Sequence, residues 1–303
     1  MMNKSEKIPT LQPSDMTGFH SHSIDWQPVI SNTKHQFFHV NRLENYVNKL
    51  IFPLPPHRKT ICDFLYLKKG KSKRSKGLNS YEFGESSLFF LPSYQITQHE
   101  TMSADTEGFF CHFDEVIFQF LPKNYLSDNF QFFNFQSNPV IQISQQTQRH
   151  IETILERLLT FYEDENAIDK NLISSYLLVL FEELKKELPN QIKKTKNAFL
   201  KITEQYKYSL SQNIYQKQTI AEYAYILNIS PNYLNKCVKN CTDKTAQDLL
   251  NEMLILEAKT LLKYSNFQIA EIAVNLCNQT PSNFSRFFKS QTGITPKEYT
   301  EMY

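Results

Sequence analysis

The amino-acid sequence predicts an α+β protein with two domains. Residues 36–143, approximately, consist of short runs rich in aromatic residues and Ile, separated by Gly, Pro, Ser and Asn, a pattern typical of β-strands. From about residue 149 the apolar residues recur at helical spacing instead. The polar, basic stretch 191–197 interrupts this helical part, so we expect one domain over residues 1–190 and an all-α domain over residues 191–303.

The segment before the β-rich part, residues 1 to about 35, is polar and contains Pro13 and Pro28. It predicts a loosely held arm or a first edge strand. His20 and His22 lie one residue apart and would suit a metal pair, but an ordinary polar segment is the favoured interpretation.

The clearest strands are predicted at Ile61–Leu67, Ser87–Leu91 and Gly108–Phe113. Many short strands at this spacing indicate a small barrel or sandwich, which can hold a small ligand in its mouth. The aromatic side chains of these runs would line an apolar pocket or, more simply, form the core. They are Phe64, Tyr66, Phe89, Phe90, Phe110 and Phe113.

The stretch Lys68–Gly77 lies between two of these strands and contains five Lys and one Arg. Such a basic stretch is compatible with nucleic-acid binding. A hairpin-like loop with a solvated tip is the more common arrangement, and we favour it here.

Two amphipathic helices are predicted after the strands, at about residues 149–163 and 169–188. Because the link between them is short, we expect them to pack antiparallel. The apolar stripe of the second helix is wide enough to cover the strands and also to meet a second copy of the chain, and both interpretations stay open.

Composition argues against several classes of protein. The chain has 6 glycines in 303 residues, so a glycine-rich phosphate site is not expected, and its net charge of +2 favours no particular partner. We find no signal-peptide pattern and no stretch near the ~20 apolar residues that span a bilayer, so we expect a cytoplasmic protein without a membrane segment. The odd number of scattered cysteines fits reduced thiols.

No spacing of metal ligands, and no nucleophile with an adjacent base, stands out in the sequence, so we expect no catalytic residue, metal or cofactor. Cys237 and Cys241 are four residues apart, but buried or neutral thiols are favoured over a metal pair. His57, His99 and His112 would form a site only if the fold brought them together, and their spacing does not predict that.

The C-terminal part contains an internal repeat. Three stretches recur: Ile220–Glu222 as Ile269–Glu271, Ser230–Lys239 as Thr280–Lys289, and Thr245–Asp248 as Thr295–Glu298. The lag is 49 residues for the first stretch and 50 for the others, which we assign to one extra residue in the turn of the second copy. Each copy predicts a short helix, a tight turn and a second helix, which together form a helix-turn-helix.

The second helix of the later copy has a well-marked start. Thr280 is a good N-cap, and Pro281 suits the first helical position because its missing N–H group is not needed there. Phe284, Phe287 and Phe288 lie at i, i+3 and i+4 and are expected to be buried.

The opposite face of each second helix is polar and cationic, as expected of a helix that enters the DNA major groove. Asn can bond an adenine edge, and Arg or Lys can donate to guanine, whereas contacts to phosphate, expected of Lys239 and Lys289, add affinity without sequence information. The predicted DNA-binding residues are Asn232, Asn235, Lys236 and Lys239 in the first copy, and Ser282, Asn283, Arg286 and Lys289 in the second.

Charge and spacing fit this interpretation. Residues 193–303 contain 13 Lys and 1 Arg against 9 acidic residues, so we expect moderate, strongly salt-dependent binding. The apolar helix between the copies, from about Thr245 to Tyr264, would hold the recognition helices ~34 Å apart if they enter successive major grooves.

These residues resemble the paired helix-turn-helix domain of the AraC/XylS family of bacterial transcription regulators. The matching residues are Ile269–Ala273, Ser282–Lys289 and Thr292–Pro296, followed by Tyr299. The resemblance implies a homodimer with a cupin-like N-terminal barrel that senses a small-molecule effector, a helix pair for dimerisation, and RNA polymerase as a further partner. It places the base-reading residues at Asn232, Asn235 and Lys236, and at Pro281, Ser282, Asn283 and Arg286.

The sequence departs from the family pattern at three places. The usual Gly-Phe of the second turn is Cys277-Asn278 here, and Asn can adopt the left-handed conformation that the turn needs. The Arg common in the connecting helix falls near Leu254. Pro281 offers no side-chain hydrogen bond at a base-reading position, so Arg286 is expected to carry most of the specificity of the second copy.

The leading hypothesis is therefore a sequence-specific, DNA-binding transcription regulator, not an enzyme. A second hypothesis is a cupin-type metal enzyme that uses its helical domain to bind other proteins, which requires histidines that converge with a carboxylate. A third is a regulator whose barrel senses nothing and serves only for oligomerisation.

Overall fold

The computed structural model describes residues 8–15, 37–122, 125–134, 137–164, 169–188, 198–265 and 267–302. The chain divides into two compact units, one of residues 10–192 and one that contains residues 193–303. Among the helices described, none has the length and apolar character needed to cross a membrane.

The first unit is rich in β-structure, and its described strands form three sheets. The strands are β1 (Thr10–Leu11), β2 (Phe38–Arg42), β3 (Arg58–Lys59), β4 (Cys62–Lys69), β5 (Ser72–Lys76), β6 (Asn79–Phe83), β7 (Ser87–Leu91), β8 (His99–Met102), β9 (Glu107–Phe113) and β10 (Val140–Gln142). One antiparallel sheet has the order β10-β7-β4-β9-β2, a second has the order β6-β5-β8, and β1 pairs with β3 in parallel. β1 fits the predicted first edge strand, whereas His20 and His22 lie outside the described residues.

The five- and three-stranded sheets are not joined into a closed barrel by any strand pairing in the described part of the chain. After β4 the chain turns at Gly70, whose φ of 90° lies in the left-handed region that favours glycine. A Cβ at this position would come within 2.6 Å of Thr106 Oγ1. The strand that follows the turn, β5, pairs with β6 and β8 instead of β4, so the chain passes from one sheet to the other here.

The prediction of a solvated loop at Lys68–Gly77 was wrong. Residues Ser72–Lys76 form the central strand of the three-stranded sheet, and Arg74 and Lys76 are buried. Arg74 is held inside by two hydrogen bonds to the carboxylate of Asp63, and Lys76 donates to the backbone oxygen of Ser137 over 2.8 Å. Buried cations of this kind require partners, and both partners here are distant in sequence.

Two helices cover one face of the five-stranded sheet. They are α2 (Gln145–Glu163) and α3 (Lys170–Lys186), preceded by the short helix α1 (Tyr125–Asn129). Ser144 at the start of α2 donates to Glu187 just after α3 over 2.6 Å, so the two helices run antiparallel, as predicted. Alternate strand residues such as Phe64, Tyr66 and Phe113 pack beneath these helices in the larger core cluster.

The other face of the five-stranded sheet carries a smaller apolar cluster that includes Leu65, Leu67 and Phe89. Two of the strand aromatics named from the sequence, Phe89 and Phe110, lie on this face. Phe89 is buried and Phe110 is half-buried. Asp63 and His112 belong to the same face, because side chains alternate along β4 and β9 and these two residues pair in register.

The second unit is helical wherever it is described as regular structure. Its helices are α4 (Ala198–Asn213), α5 (Ile220–Ile226), α6 (Pro231–Thr242), α7 (Ala246–Tyr264), α8 (Ile269–Cys277), α9 (Pro281–Thr292) and α10 (Pro296–Glu301). Helix α7 packs against α4 and α6, which lie before it in the chain, and against α8, α9 and α10, which follow it. Its buried residues, among them Leu250 and Leu254, therefore form a common core for both copies.

Candidate nucleic-acid interface

Both predicted helix-turn-helix motifs are present, α5 with α6 and α8 with α9. The second helix of each begins with the predicted cap: the Ser230 hydroxyl accepts from the backbone N–H of Tyr233, and the Thr280 hydroxyl accepts from that of Asn283. A proline occupies the first helical position after each cap, as expected of a residue without an N–H group.

The helices that follow the two motifs also start as predicted. Thr245 with Asp248, and Thr295 with Glu298, form complete capping boxes. The hydrogen bonds that Asp248 accepts from the Thr245 side chain and backbone hold the pKa of its carboxyl below the usual value. The repeat therefore extends past the recognition helices into the helices that support them.

The turn of the second motif is one residue shorter than that of the first, with three residues between α8 and α9 and four between α5 and α6, which corrects the expected position of the extra residue. Asn228 and Asn278 both adopt the left-handed conformation, with φ of 54° and 48°, and each stands two residues before the N-cap of the recognition helix. The first helix spans seven residues in α5 and nine in α8, so the second copy gains two residues in its first helix and loses one in its turn, and the net extra residue does not lie in the turn. Asn278 thus fills the turn position as predicted.

The inner faces of the recognition helices point into the core. Phe284 and Phe288 are fully buried, as are Leu234, Cys237 and Val238 in the first copy, whereas Phe287 is only half-buried and not buried as predicted. Burial raises the pKa of the Cys237 thiol, which keeps it protonated and favours a packing role.

In the first copy the predicted binding residues differ in exposure and in their contacts with other helices. Asn232 and Lys239 are exposed. Asn235 is half-buried, and its side-chain oxygen accepts from the backbone N–H of Ala246, the first residue of α7, over 3.0 Å. The Lys236 ammonium lies 5.7 Å from the ring centroid of Phe199 on α4, within the range of a cation–π contact.

In the second copy all four predicted residues, Ser282, Asn283, Arg286 and Lys289, are exposed. The structure brings two of them together: the guanidinium of Arg286 donates to the side-chain oxygen of Asn283 over 2.6 Å. This bond leaves other N–H groups of the guanidinium available and fixes its direction on the outer face of α9.

Two contributors to this surface had no clear signal in the sequence. Phe199 and Ala246 hold Lys236 and Asn235 from other helices, and neither residue is polar. A weak signal exists for Ala246, because the equivalent position in the second copy is Pro296, which has no N–H to donate, and the residue equivalent to Asn235 there is Ser285.

The candidate metal ligands do not form a site within the ranges that the structure describes. No group of three or more His, Cys, Asp or Glu side chains is placed to hold a metal ion there. His112 lies instead beside His39, with ring centroids 5.0 Å apart, and His99 is hydrogen-bonded to Ser72 over 2.7 Å.

Comparison with known proteins agrees with this geometry. A family model described as a helix-turn-helix domain matches residues 223–302, which include most of both motifs. The chain is 23% identical over 256 residues to the uncharacterized HTH-type transcriptional regulator YisR of Bacillus subtilis (strain 168), covering 80% of this chain and 86% of that protein. It is 29% identical over 154 residues to the raffinose operon transcriptional regulatory protein RafR of Pediococcus pentosaceus, covering 50% of this chain and 54% of RafR.

The chain is a DNA-binding transcription regulator, and its paired helix-turn-helix domain is similar to that of AraC-type regulators. Its helix-turn-helix domain is the DNA-binding part of that regulator. Among solved structures, ToxT from Vibrio cholerae O395 aligns over 88% of this chain and 98% of its own length, with 17% identity and a TM-score of 0.41.

Proposed function

We propose that this regulator reads DNA sequence with the outer faces of α6 and α9, which enter successive major grooves on one side of the duplex. The observation that carries the proposal is the duplicated arrangement of a left-handed Asn, a hydroxyl cap and an exposed polar face on two helices packed against the same helix, α7.

Seven of the eight proposed residues divide into three roles. Asn232, Lys236, Ser282 and Arg286 contact base edges, and Lys239 and Lys289, one at each helix's far end, contact phosphates. Asn283 holds Arg286 in place through their hydrogen bond.

Asn235 has a different proposed role from the one expected from the sequence. Its side-chain oxygen already accepts from the N–H of Ala246, so we assign it to fixing α6 against the start of α7. Its amide N–H₂ group remains free for a donor contact to the DNA.

A titration of the protein with DNA selected from a random pool tests the assignment. Arg286→Ala should weaken specific binding and leave binding to unrelated DNA nearly unchanged, whereas Lys289→Ala should weaken both. If Arg286→Ala loses no specificity, α9 is not a reading helix.

For the first unit we propose a cupin-like sensing and dimerisation domain over residues 1–190, joined to a DNA-binding domain over residues 191–303. The compact division of the chain near residue 192 supports these boundaries. A small-molecule effector would bind on the face of the five-stranded sheet that carries Asp63 and His112, between this sheet and the three-stranded one. Thermal-shift screening of the full chain tests for an effector, since a ligand that binds only the folded state raises Tm.

The proposed homodimer would form through the outer side of α3. Leu172 and Val179 are 37% and 51% exposed there, and the half-buried Tyr176 lies between them at helical spacing. Sedimentation equilibrium of Val179→Glu should give a monomer where the unaltered chain gives a dimer.

RNA polymerase is a further proposed partner, and the cytoplasm, where bacterial DNA is accessible, is the proposed location.

A further inference from the structure

A cluster of buried charges lies between the two larger sheets of the first unit, on the face of β4 that turns away from the helices. Asp63 of β4 is at its centre, with Lys59 from β3 and Arg74 from β5 on either side. All three side chains are at most 3% exposed. Three separate strands therefore meet at one carboxylate.

The bonds within this triad of Lys59, Asp63 and Arg74 are short and well directed. The Lys59 ammonium donates to Asp63 Oδ2 over 2.8 Å, and the Arg74 guanidinium donates to both carboxylate oxygens over 2.6 and 3.1 Å. A further N–H of Arg74 donates to Thr97 Oγ1 over 3.0 Å. The geometry of the triad is thus fixed before any ligand arrives.

The triad contains two cations and one carboxylate. Burial alone would raise the pKa of Asp63, but Arg74 and Lys59 hold it well below the usual range, so the carboxylate is ionised. Burial lowers the pKa of Lys59, and Arg74 adds to this effect, so the one carboxylate does not fully offset the cost of burying the ammonium. An excess of buried positive charge is unfavourable, and a second anion would compensate it.

The triad also keeps unused donors. An ammonium has three N–H groups and a guanidinium has five, and among the described residues the Lys59 ammonium makes one hydrogen bond and the Arg74 guanidinium makes three. The Lys59 ammonium lies 4.9 Å from the ring centroid of Phe110, which is half-buried although Gly108 and His112 on the same face of β9 are buried. The ammonium therefore borders the least covered part of this face of β9.

We infer that the triad of Lys59, Asp63 and Arg74 binds the carboxylate group of a small-molecule, monoanionic effector. The inference rests on the proposed sensing role of the first unit and assigns the chemical class of what it senses. A monoanion balances the single excess charge, and a carboxylate oxygen can accept from the ammonium N–H groups that Asp63 leaves unused.

The test compares carboxylates with their neutral amides on the full chain, with benzoate against benzamide and octanoate against octanamide as probes. Binding is followed by thermal shift and titration calorimetry on the unaltered protein, Lys59→Met and Lys59→Arg. Lys73→Met is the matched control, because Lys73 is next to Arg74 on β5 but is 38% exposed and paired with Glu100. Lys59→Met leaves the Asp63–Arg74 pair intact and neutral, so without a ligand we expect its Tm to be no lower than that of the unaltered protein.

We expect at least one carboxylate, and neither amide, to raise the Tm of the unaltered protein, of Lys59→Arg and of Lys73→Met. Its affinity for Lys59→Met should fall by about 10- to 100-fold, since a hydrogen bond to a charged group is lost. Equal binding of an amide that does not depend on Lys59 would overturn the assigned chemical class and leave the sensing role standing. Absence of any carboxylate effect on the unaltered protein, or an equal effect on Lys59→Met, would overturn the inference itself.

Discussion

The two helix-turn-helix motifs share a backbone but expose different side chains. Both turn at a left-handed Asn and begin the recognition helix with a hydroxyl cap followed by Pro. In the first motif Asn235 and Lys236 are held by residues of other helices, Ala246 and Phe199. In the second motif Arg286 is held from within its own helix.

The repeat preserves the caps and turns that satisfy backbone hydrogen bonds, and varies the side chains that would contact DNA. Caps and turns satisfy backbone groups that have no other partner, so they recur in both copies. The outer faces carry no such requirement. We therefore expect the first motif to depend on side chains positioned by other helices, and the second to depend on one guanidinium and its single partner within the same helix.

The largest effect is expected in the cores of the two motifs. Phe284→Ala should destabilise the second motif by about 3–5 kcal/mol and Leu234→Ala the first by about 2–5 kcal/mol, since both remove fully buried side chains. Urea unfolding of the full chain measures both. Phe287→Ala serves as a control, because this ring is half-buried and should cost less.

The next effect concerns base recognition. Arg286→Ala and Lys236→Ala should each reduce specific binding by about 1–3 kcal/mol, as expected for loss of a direct contact to a base edge. Fluorescence anisotropy with a selected DNA measures the loss. Asn283→Ala should reduce specific binding less than Arg286→Ala, since the cation stays and only its partner is removed. An equal or larger loss would show that Asn283 itself contacts a base edge.

A smaller effect separates the two roles considered for Asn235. Asn235→Ala should lower the free energy of unfolding by about 0.5–1.5 kcal/mol, because the N–H of Ala246 loses its acceptor. Ser285→Ala, the matched change in the second copy, should be nearly neutral, since Pro296 has no N–H to satisfy. Hydrogen exchange at the Ala246 amide should accelerate in the first variant, and an unchanged rate would argue against the positioning role.

The smallest effect is expected at the two distal lysines. Lys239→Ala and Lys289→Ala should weaken binding to all DNA sequences about equally and reduce the slope of log K against log salt by about 1. Titrations at several salt concentrations measure the slope. A change in sequence preference for either variant would show that the lysine contacts bases and not only phosphates.

Much of the helical unit could be predicted from the sequence because its signals are local. Thr280, Pro281 and Asn278 each occupy the position that their own chemistry favours. The exposed face of each recognition helix follows from helical periodicity alone. The bond between Asn235 and Ala246 could not be predicted in this way, since it joins two helices across the motif.

The β-rich unit was less predictable for the same reason. The basic stretch around Arg74 has the composition of a solvated loop, yet it forms a central strand because Asp63, eleven residues away, neutralises part of its charge inside the protein. The runs at Ser87–Leu91 and Gly108–Phe113 were recognisable as strands. The sheet to which each strand belongs depends on pairings between distant residues, and no local pattern encodes them.

We propose that the two recognition helices read two separate half-sites. Selection of DNA from a random pool by the unaltered protein, Lys236→Ala and Arg286→Ala tests it most directly. The unaltered protein should select two conserved blocks with centres about 10–10.5 base pairs apart, and each variant should lose preference in a different block. A single block, or loss of the same block in both variants, would contradict the claim.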